Sequence, residues 1–304
     1  MHYLLIKKDA QMRLGQYIGP AYIAIAGALW GIIGLFIELM HRAGASSDEI
    51  SFLRVLFSFL ILAVMTLFKY GIRSFRMDRN TFLAAALLGI ICHGIYNIFY
   101  SMAVMMAGIT VSAVLLNVAP LFTALISVFF FKEKISRGKY GALALNMFGC
   151  IIATTGGPMD LASLSIPGIL CGIGAGLCYA LTAVFGKLAG NASNIFVIST
   201  WSYLFATLSL LPFSHPILYM SGMHSDLLVL GFLFALIPTA LAYLFYYEGV
   251  KRMKDLSRVP VLASLETVIA ALTGACLFAE SIGLIRLSGI LIILLSIFMM
   301  SKKE

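Results

Sequence analysis

Long apolar runs alternate along this chain with short breaks that hold charge, glycine, proline or serine. Reading each run between its breaks predicts ten helices, at about 17–40, 50–69, 80–104, 108–131, 139–156, 166–187, 193–213, 226–247, 257–278 and 282–301. Most approach the roughly 20 apolar residues that a bilayer crossing requires, and the fifth is the shortest. Some runs carry a polar stripe. In LGIICHGIYNIFYSMAV, residues 88–104, His93, Asn97 and Tyr100 recur at i, i+4, i+7, one face of an α-helix, with Tyr96 beside them.

Composition agrees with that pattern. Hydrophobic residues make up 61% of the 304 and charged residues 11%, against roughly a quarter charged in soluble domains. The expected fold class is an all-α polytopic membrane protein. The opening MHYLLIKKDAQMRLGQ lacks the apolar core and small-residue cleavage site of a signal peptide, so residues 1–16 are expected to be a tail. The five cysteines lie in apolar runs without metal or redox spacing and read as small packing residues.

The net charge of +8 is distributed by topology. With the N-terminus cytoplasmic, all of the 21 Lys and Arg except Arg42, Arg54 and Arg286 fall on the cytoplasmic side of ten crossings. Both termini are then cytoplasmic, and the basic excess is a topology signal rather than a nucleic-acid patch.

The halves resemble each other. Residues 99–135 lie over 246–282 at a shift of 147, and GALWGIIGLFIE from residue 27 lies over GLCYALTAVFGK at a shift of 149. The second overlay pairs Trp30 with Tyr179 and Glu38 with Lys187. The expected organisation is a first five-helix repeat at 17–156, a linker at 157–165, and a second repeat at 166–304 that ends in a short tail. Five crossings are an odd number, so the second copy enters the membrane inverted, a construction common among secondary transporters.

LWG at 29–31, Arg54 within SFLRVLFSFLIL, NVAPLFTALISVFFFKEKI at 117–135 and SLETVIAALTGACLFAESI at 264–282 resemble the EamA family of the drug/metabolite transporter superfamily. The resemblance implies two inverted five-helix repeats that carry small metabolites. The family usually has Glu-Pro where this chain has Glu266–Thr267, so the proline that would kink the helix there is missing, although Pro260 lies two turns earlier.

Polar side chains in a membrane helix turn toward the bundle or a wet cavity. Trp30, His93, Tyr96, Asn97, Tyr100, Asn117, Tyr179, Thr182 and Tyr243 are the candidates for lining a substrate cavity. The competing reading is interhelical hydrogen bonding, or interfacial anchoring for residues such as Trp201 and Tyr246. Glu266 sits mid-helix, where a carboxylate costs at least about 2.5 kcal/mol. It is a candidate proton carrier, an anchor for a substrate ammonium, or a brace for a broken helix, and His93 could relay protons to it. Arg54 would snorkel or pair with Glu38 or Glu49. Glu133 and Glu280 read as helix-end devices, and Glu38 and Lys187 as gates at opposite faces. The small-residue patterns GALWG (27–31) and GIGAG (172–176) permit close helix approach, and Pro120 and Pro238 interrupt their helices.

The function expected is a multi-pass carrier of the bacterial inner membrane that exports a small amphipathic metabolite, such as an amino acid. It has lipid as its surroundings, no cofactor or metal and no nucleic-acid partner, and it works either as a proton antiporter through Glu266 or as a facilitator without a coupling ion. No GxxxxGK[ST] loop is present. No nucleophile with base or HExxH pair calls for an enzyme. The nearer alternative is a nucleotide-sugar or phosphorylated-metabolite exchanger, which would need several Lys or Arg in the cavity.

Overall fold

A computed structural model describes residues 18–107, 109–156, 165–192, 194–214, 225–278 and 283–301, which contain helix and no strand. The helices are α1 (Ile18–Arg42), α2 (Ser47–Tyr70), α3 (Arg79–Ala107), α4 (Val111–Phe131), α5 (Arg137–Thr155), α6 (Ile166–Ala192), α7 (Ile195–Ser214), α8 (Ser225–Arg252), α9 (Leu256–Leu277) and α10 (Leu284–Ser301). Among the described residues, nine of these are long and apolar enough to cross a membrane. The exception is α5, whose apolar run is diluted by Arg137, Lys139 and Asn146.

Polar residues in the breaks set the helix starts. Ser46 and Glu49 form a reciprocal capping box on α2. Asp78 caps α3 by accepting from the amides of Asn80 and Thr81. The Thr81 hydroxyl, more than those amides, holds the Asp78 carboxyl below the usual carboxylate range. Ser136 caps α5, and Gly156 closes it at a φ of +63°, where a side chain would be strained.

Besides α1, which is interrupted at Ile32, four helices depart from regular geometry inside the bundle. Residues Leu88–Ile95 of α3 and Leu236–Leu241 of α8 are π-helical. In α8 the cause is Pro238, which has no N–H and clashes with the carbonyl of Phe234. The Thr239 hydroxyl takes up that carbonyl at 3.0 Å and itself receives Arg54 Nε at 3.0 Å. Arg54 therefore docks on α8, with its guanidinium over the Phe234 ring. The expected pairing with Glu38 or Glu49 does not form: Glu38 holds Arg42 and Glu49 caps α2.

The other two departures are breaks. The segments Ile109–Leu116 and Ala119–Phe131 of the fourth helix meet at Asn117–Val118, because in a continuous helix the Pro120 ring would strike the carbonyl of Leu116, four residues before it. In α9, Val259–Ala263 and Leu265–Phe278 meet at Ser264. This second break needs no proline. Ser264 turns its hydroxyl back onto the Val261 carbonyl at 2.6 Å and accepts Asn146 Nδ2 at 2.7 Å. Asn146 also donates to Ser296 at 2.9 Å, so one buried amide ties α5, α9 and α10 together.

Extensive interhelical contacts join α3 with α6, α5 with α10 and α2 with α7. Glycines make the close approaches. A Cβ on Gly27 would lie 2.5 Å from the Ala263 carbonyl, and one on Gly31 would lie 2.8 Å from that of Glu266, so α1 rides directly on the α9 break. Gly172 and Gly176 bring α6 against Leu115 and Val118 at the α4 break.

Candidate functional site

The two breaks face one cavity of about 440 Å³. Asn117 and Pro120 line it from α4, and Ser264, Glu266 and Thr267 from α9. Tyr100 of α3, Asn146 and Cys150 of α5, and Tyr179 of α6 complete the deep walls. The cavity extends to Thr154 and Arg286, at the end of α5 and the start of α10. The Arg286 guanidinium lies beside Gly156 there.

Glu266 is the carboxylate of this cavity. Its one polar contact among the described residues is the Tyr179 hydroxyl, which donates to Oε2 at 3.5 Å. From Tyr179 a run of rings extends in two directions. Tyr96 lies 6.2 Å from it and stacks on Tyr100 at 5.9 Å with an interplanar angle of 11°. Trp30 lies 6.2 Å from Tyr179 on the other side and packs 5.0 Å from Tyr243 and 4.9 Å from Tyr246. Trp30 is 3% exposed, and its indole N–H has no hydrogen-bond partner among the described residues.

The sequence-predicted residues therefore separate. Tyr100, Asn117, Tyr179 and Glu266 line the cavity, and Tyr96 and Trp30 back it. His93 does neither. It is buried between Tyr203, stacked at 4.8 Å, and Tyr243, edge-on at 4.7 Å, with its Nε2 3.0 Å from the Tyr247 hydroxyl. Asn97 Nδ2 donates to the His93 carbonyl at 2.5 Å. Thr182 is buried and turned onto the Cys178 carbonyl. Tyr243 sits at the centre of the tyrosine cluster. The predicted stripe presumed 3.6 residues per turn. Through Leu88–Ile95 the helix closes i→i+5 bonds instead, which turns His93 away from the face that Tyr100 occupies.

Asn146, Ser264, Thr267 and Arg286 were missed. Asn146 had a signal, as the one amide side chain in the run ALALNMFGC. Ser264 and Thr267 had little, because hydroxyls are common in membrane helices and usually bond their own backbone.

Opposite the Arg286 end, a group of polar contacts gathers on the segment between α8 and α9. Lys187 Nζ donates to the carbonyls of Met253, at 2.5 Å, and Lys254, at 3.1 Å. Glu133 reaches out of α4 to accept the amides of Leu256 (2.5 Å) and Ser257 (3.3 Å), so the helix it caps is α9. Lys139 of α5 pairs with Asp255 at 3.0 Å. Glu38 is at the other end, because α1 begins beside Gly249 and runs away from it. It pairs with Arg42 at 2.8 Å on the wall of a second cavity of about 370 Å³ between α1 and α9. Glu280 lies outside the described residues.

Comparison with known proteins gives a consistent assignment. The model of the EamA-like transporter family matches residues 17–155 and again 166–302. An uncharacterized transporter of Archaeoglobus fulgidus is 28% identical over 272 residues, covering 89% of this chain and 92% of that protein. The uncharacterized transporter YojE of Bacillus subtilis is 25% identical over 267 residues, 86% of each chain. A solved crystal structure superposes with a TM-score of 0.75 at 15% identity, covering 94% of this chain and 96% of that one, a likeness of fold.

Proposed function

Because the chain belongs to the EamA-like transporter family, we propose that it is a secondary transporter of ten crossings, built as two inverted five-helix repeats, that exports a small amphipathic metabolite by alternating access. The observation that carries this reading is the 440 Å³ cavity held between two broken helices, α4 and α9. Broken helices at the interface of inverted repeats are where such carriers hold substrate. The irregular backbone is sheltered inside protein, where a membrane tolerates it.

Several pairings favour the repeat. Extensive contacts join the second helix of each half (α2, α7) and the fifth of each half (α5, α10). The π segments fall in the third helix of each half, and each break is ridden by the glycines of the opposite half's first helix. The basic residues favour a cytoplasmic Lys187 end in an inner membrane, with both termini on that side. Under that orientation the cavity faces outward and is closed toward the cytoplasm by the contacts of Lys187, Glu133 and Lys139.

The cavity's described lining contains one arginine and no lysine. That composition supports a neutral, zwitterionic or cationic solute, such as an amino acid, over a phosphorylated one, which needs several cations. Counterflow in proteoliposomes preloaded with amino acids, amines or nucleobases tests the reading. Transient accumulation of trace label with one class supports a carrier. No accumulation with any class, in folded protein, overturns carriage of these solutes.

A further inference from the structure

We propose that Glu266 is a single cation seat, shared by a coupling proton and the ammonium of a primary amine whose apolar body lies against the tyrosines of α3 and α6. This deepens the transporter reading and rests on it.

An ionised carboxylate offers about four acceptor positions. Glu266 has one occupied among the described residues, by Tyr179 at the long limit of a hydrogen bond, and the carboxylate lines the cavity. No described Lys or Arg forms an ion pair with it. Arg54 acts on Glu266 through its field while its own guanidinium is engaged at Thr239 and Phe234. Arg286 enters the cavity from the first turn of α10, beside the end of α5. A carboxylate at this depth requires a cation, and the cavity lets that cation be mobile.

The walls fit an organic cation. Tyr179 and Tyr100 line the space, and Tyr96 joins them into a continuous aromatic surface. Ring faces attract ammonium groups and accept apolar ones. Between them lie Ala113, Leu116, Ala270 and Ala271, which take a hydrocarbon body. The volume is within the range of small-molecule pockets.

Titratable groups act on Glu266 from every side: Tyr179 on α6, Tyr96 and Tyr100 on α3, Tyr243 on α8, Cys150 on α5 and Arg54 on α2. From α1, Gly31 meets the Glu266 backbone. Phenols, thiols and guanidinium groups ordinarily titrate above about pH 8. The carboxyl is therefore the group that exchanges its proton when the amine arrives. One seat for two cations makes their binding mutually exclusive, which gives one-for-one exchange without a separate proton path.

The test uses purified full-length protein in weakly buffered detergent, with phenethylamine as the probe. Its neutral isostere 2-phenylethanol keeps the ring and chain and lacks the ammonium. Binding is read from Trp30 fluorescence in a Trp201→Phe background, and proton release from a pH-sensitive dye. Below the carboxyl titration, phenethylamine is expected to bind saturably, to release about one proton per molecule bound, and to weaken about tenfold per pH unit. Glu266→Gln is expected to abolish the release and weaken binding at least about tenfold, and Glu266→Asp to retain the release. 2-Phenylethanol is expected to bind at least about tenfold more weakly than phenethylamine.

The proposal is overturned by saturable binding without proton release at every pH, by equal affinity for the two probes, by unchanged affinity in Glu266→Gln, or by no saturable binding to folded wild type. Counterflow separates this result from the transporter reading. A chain that exchanges other solutes but ignores phenethylamine loses the seat and keeps transport. One that binds phenethylamine with proton release but exchanges no solute keeps the seat and loses transport.

Discussion

Helix α9 has two unlike ends. At the Lys187 end its first turn is held from three directions: Glu133 on its amides, Lys187 on the carbonyls just before it, and Lys139 on Asp255. Beyond Ser264 the same helix runs between two cavities, with Ala270 on the wall of both. The first end is fixed by polar contacts that can break singly; the second, beyond the close approach of Gly31 to Glu266 and Ile269, borders open space. Glu266 sits just past the break between these two ends. Under the alternating access proposed above, opening the Lys187 end would release those contacts, and closing the Arg286 end would fill the empty space beside the outer segment.

The contrast is most severely tested at two glycines of α1. Gly27→Leu drives a side chain into the Ala263 backbone at the break. It is expected to cost about 1–3 kcal/mol or more, seen as a large fall in melting temperature and loss of flux. Gly34→Leu, where an added Cβ meets nothing within 4 Å, is expected to leave the melting temperature nearly unchanged. Equal losses at the two positions would mean that α9 is packed alike on both sides of its break.

Next in size is Asn146→Ala, which unhooks Ser264 from α10. A loss of about 1–3 kcal/mol is expected, measured by thermal unfolding in detergent. A change under a few tenths of that would mean that Asn146 does not pin the break. Glu133→Gln weakens the cap on α9. Hydrogen exchange at Leu256 and Ser257 is expected to rise at least about tenfold, with amides near Thr273 unaffected. Equal change at both places would mean that the ends are not independent. The smallest effect belongs to Glu38→Gln. Its pair with Arg42 is largely exposed and is worth at most about 1 kcal/mol. Unchanged turnover is expected, and a marked change would identify Glu38 as a gate.

What could be read before the structure divides along local and distant lines. The helices were legible because apolar run length is a local property. Glu266 and Asn117 were legible because an ionisable or amide group in mid-span is unusual wherever its partners lie. The π geometry of α3 was not legible, and that geometry took His93 from the expected stripe into contact with Tyr247, 154 residues away. The α9 break was hidden by the missing proline. It depends on Ser264 meeting Asn146, which lies on another helix.

By itself the sequence determined that this chain spans a membrane as an all-helical protein, which family it belongs to, and which few side chains are too polar to face lipid. Hydrophobic burial is additive along a run, so composition and spacing suffice for those statements. Which polar groups share a cavity, which are locked in the core, and which end of α9 is held were decided by tertiary structure. A hydrogen bond needs its partner within about 3 Å, and only the packed bundle brings residues from different helices that close.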